Sequence, residues 1–517
     1  MPEVCKSQNT DGSRSSREKI IQSGNLADTS KVISQFMRTP VRFLRHSLIV
    51  PITAAVLLAP LTSLKAGPHE LVIQGGSVID TRTGKALENQ IVVIKGDRIA
   101  RVAPAKEVAV PADARVIDAR GQWIVPGLID MHVHRAGQPD LVPFALYVAN
   151  GVTSIRDMGG NLTLLRLARN QVESGKRLGP RLFFLGPILD GDPPLAPPIA
   201  VIVDTPARAI STVNFLVDQG VDAIKIYNGI SAPILEVIVR TARLRNVRVV
   251  GHVPRALTVS RAVEIGMQGL EHSIIRAADL EAWGVLTRED TDRINASKSV
   301  TVREAMVWRH IDLKSPDIAK LIAQLAAAKT VLDPTLNADE YDSLFLYPAQ
   351  ASHPNNRFLR QSVVDEALGP EHQIFKVPRE LEADARSGVE KRRAFVGMCH
   401  RAGVKIVAGT DGPGIGHLAP GFGLHRELEL LVMAGLTPSD ALRAATFEAA
   451  AALGHEKDLG AIGEGKLADL VIVRADPRLS IANMAQIEAV VLRGQFLDRT
   501  KLNTMLDEVA AEAQKEK

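Results

Sequence analysis

The spacing of apolar and polar residues divides the chain into three parts. From 67 to 125, and again from 456 to 500, short runs alternate β-branched residues with Gly and Asp turns, which is typical of antiparallel strands. Between 126 and 455, eight strand-like runs alternate with helix-like stretches, which is typical of a (β/α)8 or TIM barrel. We therefore predict an α/β fold, with the barrel at 126–455 and one small β-sandwich built from both flanks.

Residue types that bind metals fall where these strand-like runs end. The runs GLIDMHVH, VRVVGHV, GLEHS and VKIVAGTD end at or beside His134, His252, His272 and Asp411. His132 precedes His134 by two positions, so both imidazoles lie on one face of a strand. A single histidine is more often a packed or hydrogen-bonded residue, and Asp411 in AGTDGPG could cap a turn. Because a TIM barrel carries its active site at these strand ends, their joint placement predicts a metal site.

Lys225 is an unusual residue for a predicted barrel strand. In DAIKIYNG it alternates with Ile224 and Ile226, which places Lys225 and Tyr227 together on the face towards the barrel axis. The alternative is a surface lysine whose aliphatic stem packs on apolar neighbours. Burial beside metal cations would favour the neutral amine. A neutral amine can react with carbon dioxide to form a carbamate, an anionic group that is able to bridge two metals.

Several motifs resemble the amidohydrolase superfamily, over residues 68 to about 500. PGLIDMHVH resembles its metal motif on strand one, while ATFEAAAALG and GAIGEGKLADLVIV resemble its C-terminal signature. IKIY, GHVPRA and LEH are similar to the branch of binuclear hydrolases that includes Xaa-Pro dipeptidases and ochratoxin-degrading amidohydrolases. The specific signal is the whole set in barrel order, since no single motif is specific.

The resemblance implies two divalent metal ions, with zinc as the expected metal for imidazole and carboxylate ligands. It implies that the first metal is held by His132, His134 and Asp411. The second would be held by His252 and His272, and Lys225, carboxylated by CO2, would bridge both. Two metals that share a water lower its pKa, so that a bridging hydroxide can attack a substrate carbonyl.

The predicted activity is hydrolysis of a C–N amide bond in a dipeptide, an N-acyl amino acid or an aryl amide. Asp411 would accept the proton of the nucleophile and pass it to the leaving nitrogen. The Tyr227 hydroxyl would steady the oxyanion, with a ring packed in the barrel rim as the alternative. Aryl ureas and carbamates are alternative substrates, because the same attack serves them.

Two other functions fit parts of the pattern. One is a mononuclear deaminase of the same superfamily, for which the pattern HxxE at strand five is typical. This chain has His252-Val253-Pro254-Arg255 there, without an acid. A binding or scaffold protein on an inactive barrel would normally have lost some ligands, and here all of them are present. Metal-dependent hydrolysis is therefore favoured over both.

Two connections between predicted strands are long. One follows strand three and is proline-rich, and the other is a loop from Asn337 to about Arg392, after strand seven. Long segments on the catalytic face usually shape a substrate pocket. The second segment carries Tyr341, Phe345 and Tyr347, which we predict to contact a bulky or aryl substrate. The alternative is that these rings pack on the protein's own helices.

The composition argues against several partners. The net charge of +4 is spread along the chain, without the basic stripe of a nucleic-acid-binding protein. The two cysteines, Cys5 and Cys399, lie far apart in the sequence, so it predicts neither a disulfide framework nor a cysteine zinc site. The predicted partner is a small-molecule amide, and a homo-oligomer is left open. Residues 501–517 predict an exposed amphipathic helical tail.

Residues 1–66 form an N-terminal extension that ends in a targeting pattern. Three arginines precede an apolar stretch at 47–64, and a small-residue cleavage site ends at Ala66. That order is typical of a secretory signal peptide, with Met37 as the natural start of translation. We predict a periplasmic or secreted protein without stable membrane insertion after cleavage. A membrane anchor is the alternative, which two prolines within the apolar stretch disfavour.

Overall fold

The computed structural model describes residues 70–515, apart from 111, 140, 197, 198 and 273. The predicted extension and signal peptide at 1–66 lie outside the described residues. In the described part, none of the helices combines the length and the apolar character needed to span a bilayer.

The strands are short, as the sequence pattern indicates. Those of the described part are β1 (Leu71–Asp80), β2 (Lys85–Lys95), β3 (Arg98–Pro104), β4 (Arg115–Asp118), β5 (Trp123–Pro126), β6 (Leu128–Val133), β7 (Val152–Asp157), β8 (Arg181–Phe184), β9 (Ile188–Asp190), β10 (Ala200–Ile202), β11 (Ala223–Ile226), β12 (Arg248–Gly251), β13 (Gly269–Glu271), β14 (Val331–Asp333), β15 (Lys405–Ile406), β16 (Leu470–Val473), β17 (Ile487–Leu492) and β18 (Gln495–Asp498).

Many of the helices begin at a Ser or Thr whose side chain accepts a hydrogen bond from the first turn, as at Thr205, Ser299 and Ser315. The helices of the described part are α1 (Phe144–Ala149), α2 (Leu162–Glu173), α3 (Pro206–Asp218), α4 (Ala232–Leu244), α5 (Val259–Ile265), α6 (Ala277–Ala282), α7 (Arg288–Ala296), α8 (Val300–Trp308), α9 (Pro316–Ala327), α10 (Leu336–Ser343), α11 (Gln361–Leu368), α12 (Glu382–Arg401), α13 (Phe422–Met433), α14 (Pro438–Ala444), α15 (Phe447–Leu453) and α16 (Arg499–Gln514).

Both flanks of the barrel contribute to one eight-stranded sheet. Its order is β18-β17-β16-β5-β1-β2-β3, and β4 pairs with β1. The start of β3 returns to the segment before β16, where the Ile99 amide donates to Lys466 O at 2.8 Å and the Ala468 amide to Asp97 O at 2.8 Å. The sheet thereby encloses a separate apolar core around Ile124. The predicted β-sandwich from both flanks is confirmed.

Eight parallel strands form the barrel in chain order: β6, β7, β8, β11, β12, β13, β14 and β15. The third strand continues as β9, which pairs with β11, and the proline-rich connection adds β10 beside β9. Strand eight returns to strand one, because Val133 bridges to Gly412 and the Met131 amide donates to Ala408 O at 3.0 Å. The predicted TIM barrel is confirmed.

The main apolar core lies between these strands and the helices that follow them, where Ile224 and Val249 are packed with Leu235 and Val213. Burying one such side chain contributes roughly 1.5–3 kcal/mol, so this layer supplies much of the stability that holds the strand ends in place.

The structure differs from the sequence-based prediction in two connections and in the C-terminal helix. The segment from Asn337 to Arg392 is largely helical, because its own apolar residues form a local core. The connection after strand six, with α6 to α9, is also long and was not predicted. The C-terminal helix α16 is not fully exposed, since Leu502 and Met505 are buried and the helix packs on α1.

Candidate metal centre

The first set of predicted ligands, His132, His134 and Asp411, meets around one carboxylate. Asp411 Oδ1 lies 3.3 Å from His132 Nε2 and 3.2 Å from His134 Nε2. One ligand atom from each residue lies within 4.8 Å of the other two, which is close enough for a shared divalent ion. His132 lies in β6 and His134 directly follows it. The structure thus brings together the three residues predicted for one metal.

Close approach of the eighth strand to β6 places the Asp411 carboxylate. The Asp411 amide donates to His132 O at 2.8 Å, and the Thr410 hydroxyl donates to Asp130 Oδ2 at 2.9 Å. Gly409 permits this approach, since a Cβ there would lie 2.6 Å from the Cβ of His132. Asp411 itself has a φ of 54°, which non-glycine residues rarely adopt. Such a strained backbone conformation persists only where contacts with the surrounding structure hold it in place, commonly at functional sites.

The second set of predicted ligands, Lys225, His252 and His272, faces the first. The ring centroids of His252 and His272 lie 4.6 Å apart, and that of His272 lies 4.6 Å from that of His132. Among the described residues, neither His252 nor His272 belongs to a group of three ligand atoms within 4.8 Å. His272 also has a positive φ, of 63°. The second set is therefore close to the first, but it lacks a third ligand unless Lys225 supplies one.

Lys225 is buried without a hydrogen bond for its amine. The residue is 1% exposed, and its Nζ has no hydrogen-bond partner among the described residues. Burial lowers the pKa of Lys225 to about 8, although the charges of Glu271 and Asp411 oppose that shift. A buried lysine without a partner is rare. His132 Nε2 is likewise buried without a hydrogen bond in the described part, and a metal centre would satisfy both atoms. The residues present therefore fit a metal centre.

Burial keeps most of the imidazoles neutral. It lowers the pKa of His132 to about 3 and that of His272 to about 4, and it moves the pKa of His252 well below the usual value. Burial acts in the same direction on His134, but the hydrogen bond to Asp411 raises its pKa overall. Burial also opposes ionisation of Asp411, yet the surrounding imidazoles hold its pKa far below the usual range. Neutral imidazoles and an ionised carboxylate are the forms that bind metals.

A buried ion network beneath the centre supports His132, and none of the motifs indicated it. His132 Nδ1 donates to Glu271 Oε2 at 3.0 Å, which leaves Nε2 directed at Asp411. Arg156 Nη2 lies 3.0 Å from Glu271 Oε1 and 3.4 Å from Asp333 Oδ2. Burial opposes ionisation of Glu271, yet Arg156 together with His132 lowers the pKa of that acid, whereas burial and the charge of Glu271 raise the pKa of Asp333 well above the usual value. The signal in the sequence is a charged residue directly after Ile155, Leu270 and Leu332, within three predicted strands.

Tyr227 lies beside the second set. Its ring centroid is 4.4 Å from that of His252. Burial, together with the negative charge of Asp411, raises the pKa of Tyr227 to about 12, so the hydroxyl is a donor at neutral pH. The positive charges of Arg255 and Arg303 act on the same hydroxyl. Stabilisation of an oxyanion by Tyr227 stays a prediction.

The aromatic residues predicted to contact substrate share a local core. Tyr341 is 1% exposed and its hydroxyl donates to Ile415 O at 3.1 Å. Tyr347 is also buried, and its hydroxyl donates to Asp342 Oδ1 at 2.6 Å. Phe345 is only partly buried at the edge of this cluster. In this structure Tyr341 and Tyr347 therefore pack internally, as in the alternative stated above, and substrate contact stays a prediction that suits Phe345 best.

Comparison with known sequences identifies the family. Residues 123–497 match the Amidohydrolase family. Dihydroorotase of Anaeromyxobacter dehalogenans is 47% identical over 64 residues, which are 12% of this chain and 14% of that protein. The chain thus matches about one seventh of the length of that relative. Imidazolonepropionase of Symbiobacterium thermophilum is 26% identical over 463 residues, which cover 85% of this chain and 98% of that protein.

Comparison with solved structures identifies the same fold. A Xaa-Pro dipeptidase with bound methionine is 21% identical and covers 83% of this chain and 100% of its own, with a TM-score of 0.59. Ochratoxinase of A. niger is 19% identical, covering 83% of this chain and 96% of its own, with a TM-score of 0.59. At these identities the likeness shows the fold alone. It agrees with the resemblance that the sequence motifs carry.

Proposed function

This chain belongs to the amidohydrolase family, and we propose that it hydrolyses a C–N amide bond in a dipeptide, an N-acyl amino acid or an aryl amide. One observation carries the proposal: the imidazoles of His132 and His134 converge on Asp411 Oδ1 at the carboxyl end of the barrel, beside a buried lysine without a hydrogen-bond partner in the described part. The donor set suits a Lewis-acidic metal, which would polarise the carbonyl of an amide, a urea or a carbamate alike. An amide is favoured because the motifs resemble Xaa-Pro dipeptidases and ochratoxin-degrading amidohydrolases.

Two divalent metal ions, expected to be zinc, would be held by residues of both sets. The proposed ligands are His132, His134 and Asp411 for the first ion, His252 and His272 for the second, and carboxylated Lys225 between them. When bound, such ions supply Lewis acidity that activates a water nucleophile at neutral pH.

Asp411 is the proposed general base. Its Oδ1 faces both imidazoles of the first set, while Oδ2 lies 3.7 Å from His272 Nδ1. A carboxylate held between the two sets can take a proton from the nucleophile and deliver it to the leaving nitrogen. Tyr227 approaches from the side of His252, where its hydroxyl can donate to the oxygen that becomes negative.

A positive rim favours substrates that carry a carboxylate. Burial and the charge of Arg255 lower the pKa of Arg303 to about 10, a shift that Glu304 opposes and Arg276 reinforces. Of these three arginines, Arg276 has a carboxylate partner, Glu304 at 3.3 Å, and no ion pair to Arg255 or Arg303 is found in the described part. An anionic substrate group would relieve this repulsion, so dipeptides and N-acyl amino acids rank above neutral aryl amides.

The test is a substrate panel assayed with protein prepared in zinc and bicarbonate. Dipeptides, N-acyl amino acids, aryl amides and phenylureas should separate the amide reading from the urea and carbamate alternative. We expect turnover of amides that chelator treatment abolishes and zinc restores. Deamination without amide cleavage would favour the mononuclear alternative. A protein that takes up no zinc under these conditions and hydrolyses none of the panel would refute the proposal.

We also propose that the mature chain is exported, from the targeting pattern that ends at Ala66. N-terminal sequencing of protein from fractionated host cells should find a start near Gly67 outside the cytoplasm. A cytoplasmic protein that still begins at Met1 or Met37 would contradict this.

A further inference from the structure

The helix that follows strand seven is capped from outside rather than by its own N-cap residue. Thr335 precedes α10, yet its side chain makes no capping hydrogen bond. Glu427 of α13 takes that role: its Oε1 accepts from the Leu336 amide at 3.0 Å and its Oε2 from the Asn337 amide at 2.7 Å. Thr205 shows the ordinary arrangement in this chain, since its own hydroxyl accepts from the first turn of α3.

The capping by Glu427 leaves the Thr335 hydroxyl available for another partner. Thr335 Oγ1 lies 2.7 Å from His272 Nδ1, and Thr335 is fully buried. Its backbone has a φ of 44° and a ψ of 49°, a left-handed conformation that is unfavourable for a β-branched residue. A strained threonine that turns away from its own helix towards an imidazole suggests a role for that contact.

Asp411 Oδ2 is a competing neighbour of the same imidazole nitrogen, at 3.7 Å. If Nδ1 of His272 turned to Asp411, the carboxylate of the first set would be drawn to an imidazole of the second. The shorter contact with Thr335 holds Nδ1 away from Asp411, which would leave Nε2 of His272 for a metal. Metal-ligating histidines usually have such a partner on the other ring nitrogen.

We propose that Thr335 and Glu427 are positioning residues of the metal centre. Glu427 holds the first turn of α10, and Thr335 is thereby fixed with its hydroxyl on Nδ1 of His272. His272 would then have Nε2 free to hold the second metal. The inference rests on the proposed function for the presence of that metal. It requires no particular substrate.

The test measures metal affinity of the full-length protein with zinc and a chromophoric chelator in competition. Thr335→Val removes the hydroxyl and keeps the shape, and Thr335→Ser restores it. Thr446→Val is the matched control, because Thr446 is also fully buried and its hydroxyl donates to Leu442 O at 2.7 Å, away from the ligands. Glu427→Gln tests the cap, since one acceptor oxygen becomes a donor.

We expect Thr335→Val to weaken binding of the second zinc by about 10–100-fold and to leave the first within a few-fold of wild type. Thr335→Ser should restore most of that affinity, and Glu427→Gln should weaken the same step. Thr446→Val should lower the melting temperature without changing either affinity. If Thr335→Val does not fold, the comparison of Glu427→Gln with Thr446→Val decides.

If Thr335→Val and Glu427→Gln both bind the two ions with wild-type affinity, the positioning role is wrong and the proposed function is unaffected. An equal loss in Thr446→Val would overturn the positioning role too, because it would show a general effect of destabilisation. A wild-type protein that takes up no second metal would overturn both this inference and the binuclear part of the proposed function. Two bound ions without amide hydrolysis would overturn only the proposed function.

Discussion

The two halves of the metal centre differ in how far the folded chain assembles them by itself. In the first half, a carboxylate oxygen lies within 3.3 Å of two imidazoles, and the buried acid Glu271 holds the His132 ring from behind. In the second half, two imidazoles lie 4.6 Å apart beside an amine that has no hydrogen-bond partner in the described part. The first half brings three ligand residues together, and the second lacks a third ligand unless Lys225 supplies one.

This difference has a physical origin in charge. Asp411 supplies the negative charge that neutral imidazoles need to attract a cation, whereas the second half holds only neutral or positive groups. Carboxylation of Lys225 would convert the one cationic group into an anion at the point where a ligand is missing. The first ion should therefore bind to the unmodified chain, and the second only after CO2 has reacted.

Asp411→Asn should have the largest effect, because it removes the charge on which the first half depends. Asparagine keeps the shape and a coordinating oxygen but cannot carry a proton at neutral pH. We expect kcat to fall by about 10²–10⁴-fold, the usual loss for a general base. Steady-state kinetics with circular dichroism as the folding control measures this. A variant within a few-fold of wild type would assign the proton to another residue.

Lys225→Ala tests whether the second half depends on the bridging group. We expect elemental analysis to find one metal where wild type holds two, and activity to fall by about 10³-fold, since a Lewis-acidic ion contributes several kcal/mol. Acetate or propionate should restore part of the loss by replacing the carbamate. Unchanged metal content and turnover would mean that Lys225 is not a ligand, and the two halves would then not differ in the way described.

Tyr227→Phe asks whether the second half does more than hold an ion. The ring, and with it the packing on His252, is kept, while the donor is lost. We expect kcat to fall by about 10²-fold with little change in KM, the lower end for an oxyanion donor. Equal kcat with a lower melting temperature would favour the alternative, in which the ring packs the barrel rim.

Phe345→Ala and Tyr341→Ala examine the helical segment after strand seven, where we expect the smallest catalytic effects. Phe345→Ala should lower kcat/KM about tenfold for aryl amides only, with a nearly unchanged melting temperature. Tyr341→Ala should cost about 3–5 kcal/mol of stability, because it empties a packed core, and should affect all substrates alike. The same pattern in both variants would show that neither ring distinguishes substrates.

Much of the barrel and of the ligand set could be predicted because both depend on local order in the sequence. Period-two alternation places His132 and His134 on one face whatever the rest of the chain does. The position of a residue at the end of a strand-like run is likewise a local property. Once eight parallel strands close into a barrel, those ends must meet, which is why His252, His272 and Asp411 could be grouped from the sequence.

The contacts that orient the ligands were decided only by the tertiary structure. Glu271 lies 139 residues from His132 and Arg156 lies 115 residues from Glu271, so no local pattern relates them. The same holds for Glu427, which reaches the amides of Leu336 and Asn337 from a different helix. The packing of Tyr341 within its own segment also depends on Ile415, from beyond strand eight. Periodicity determines the direction in which a side chain points. The residue that it contacts depends on how distant parts of the chain pack together, and local spacing in the sequence does not indicate this.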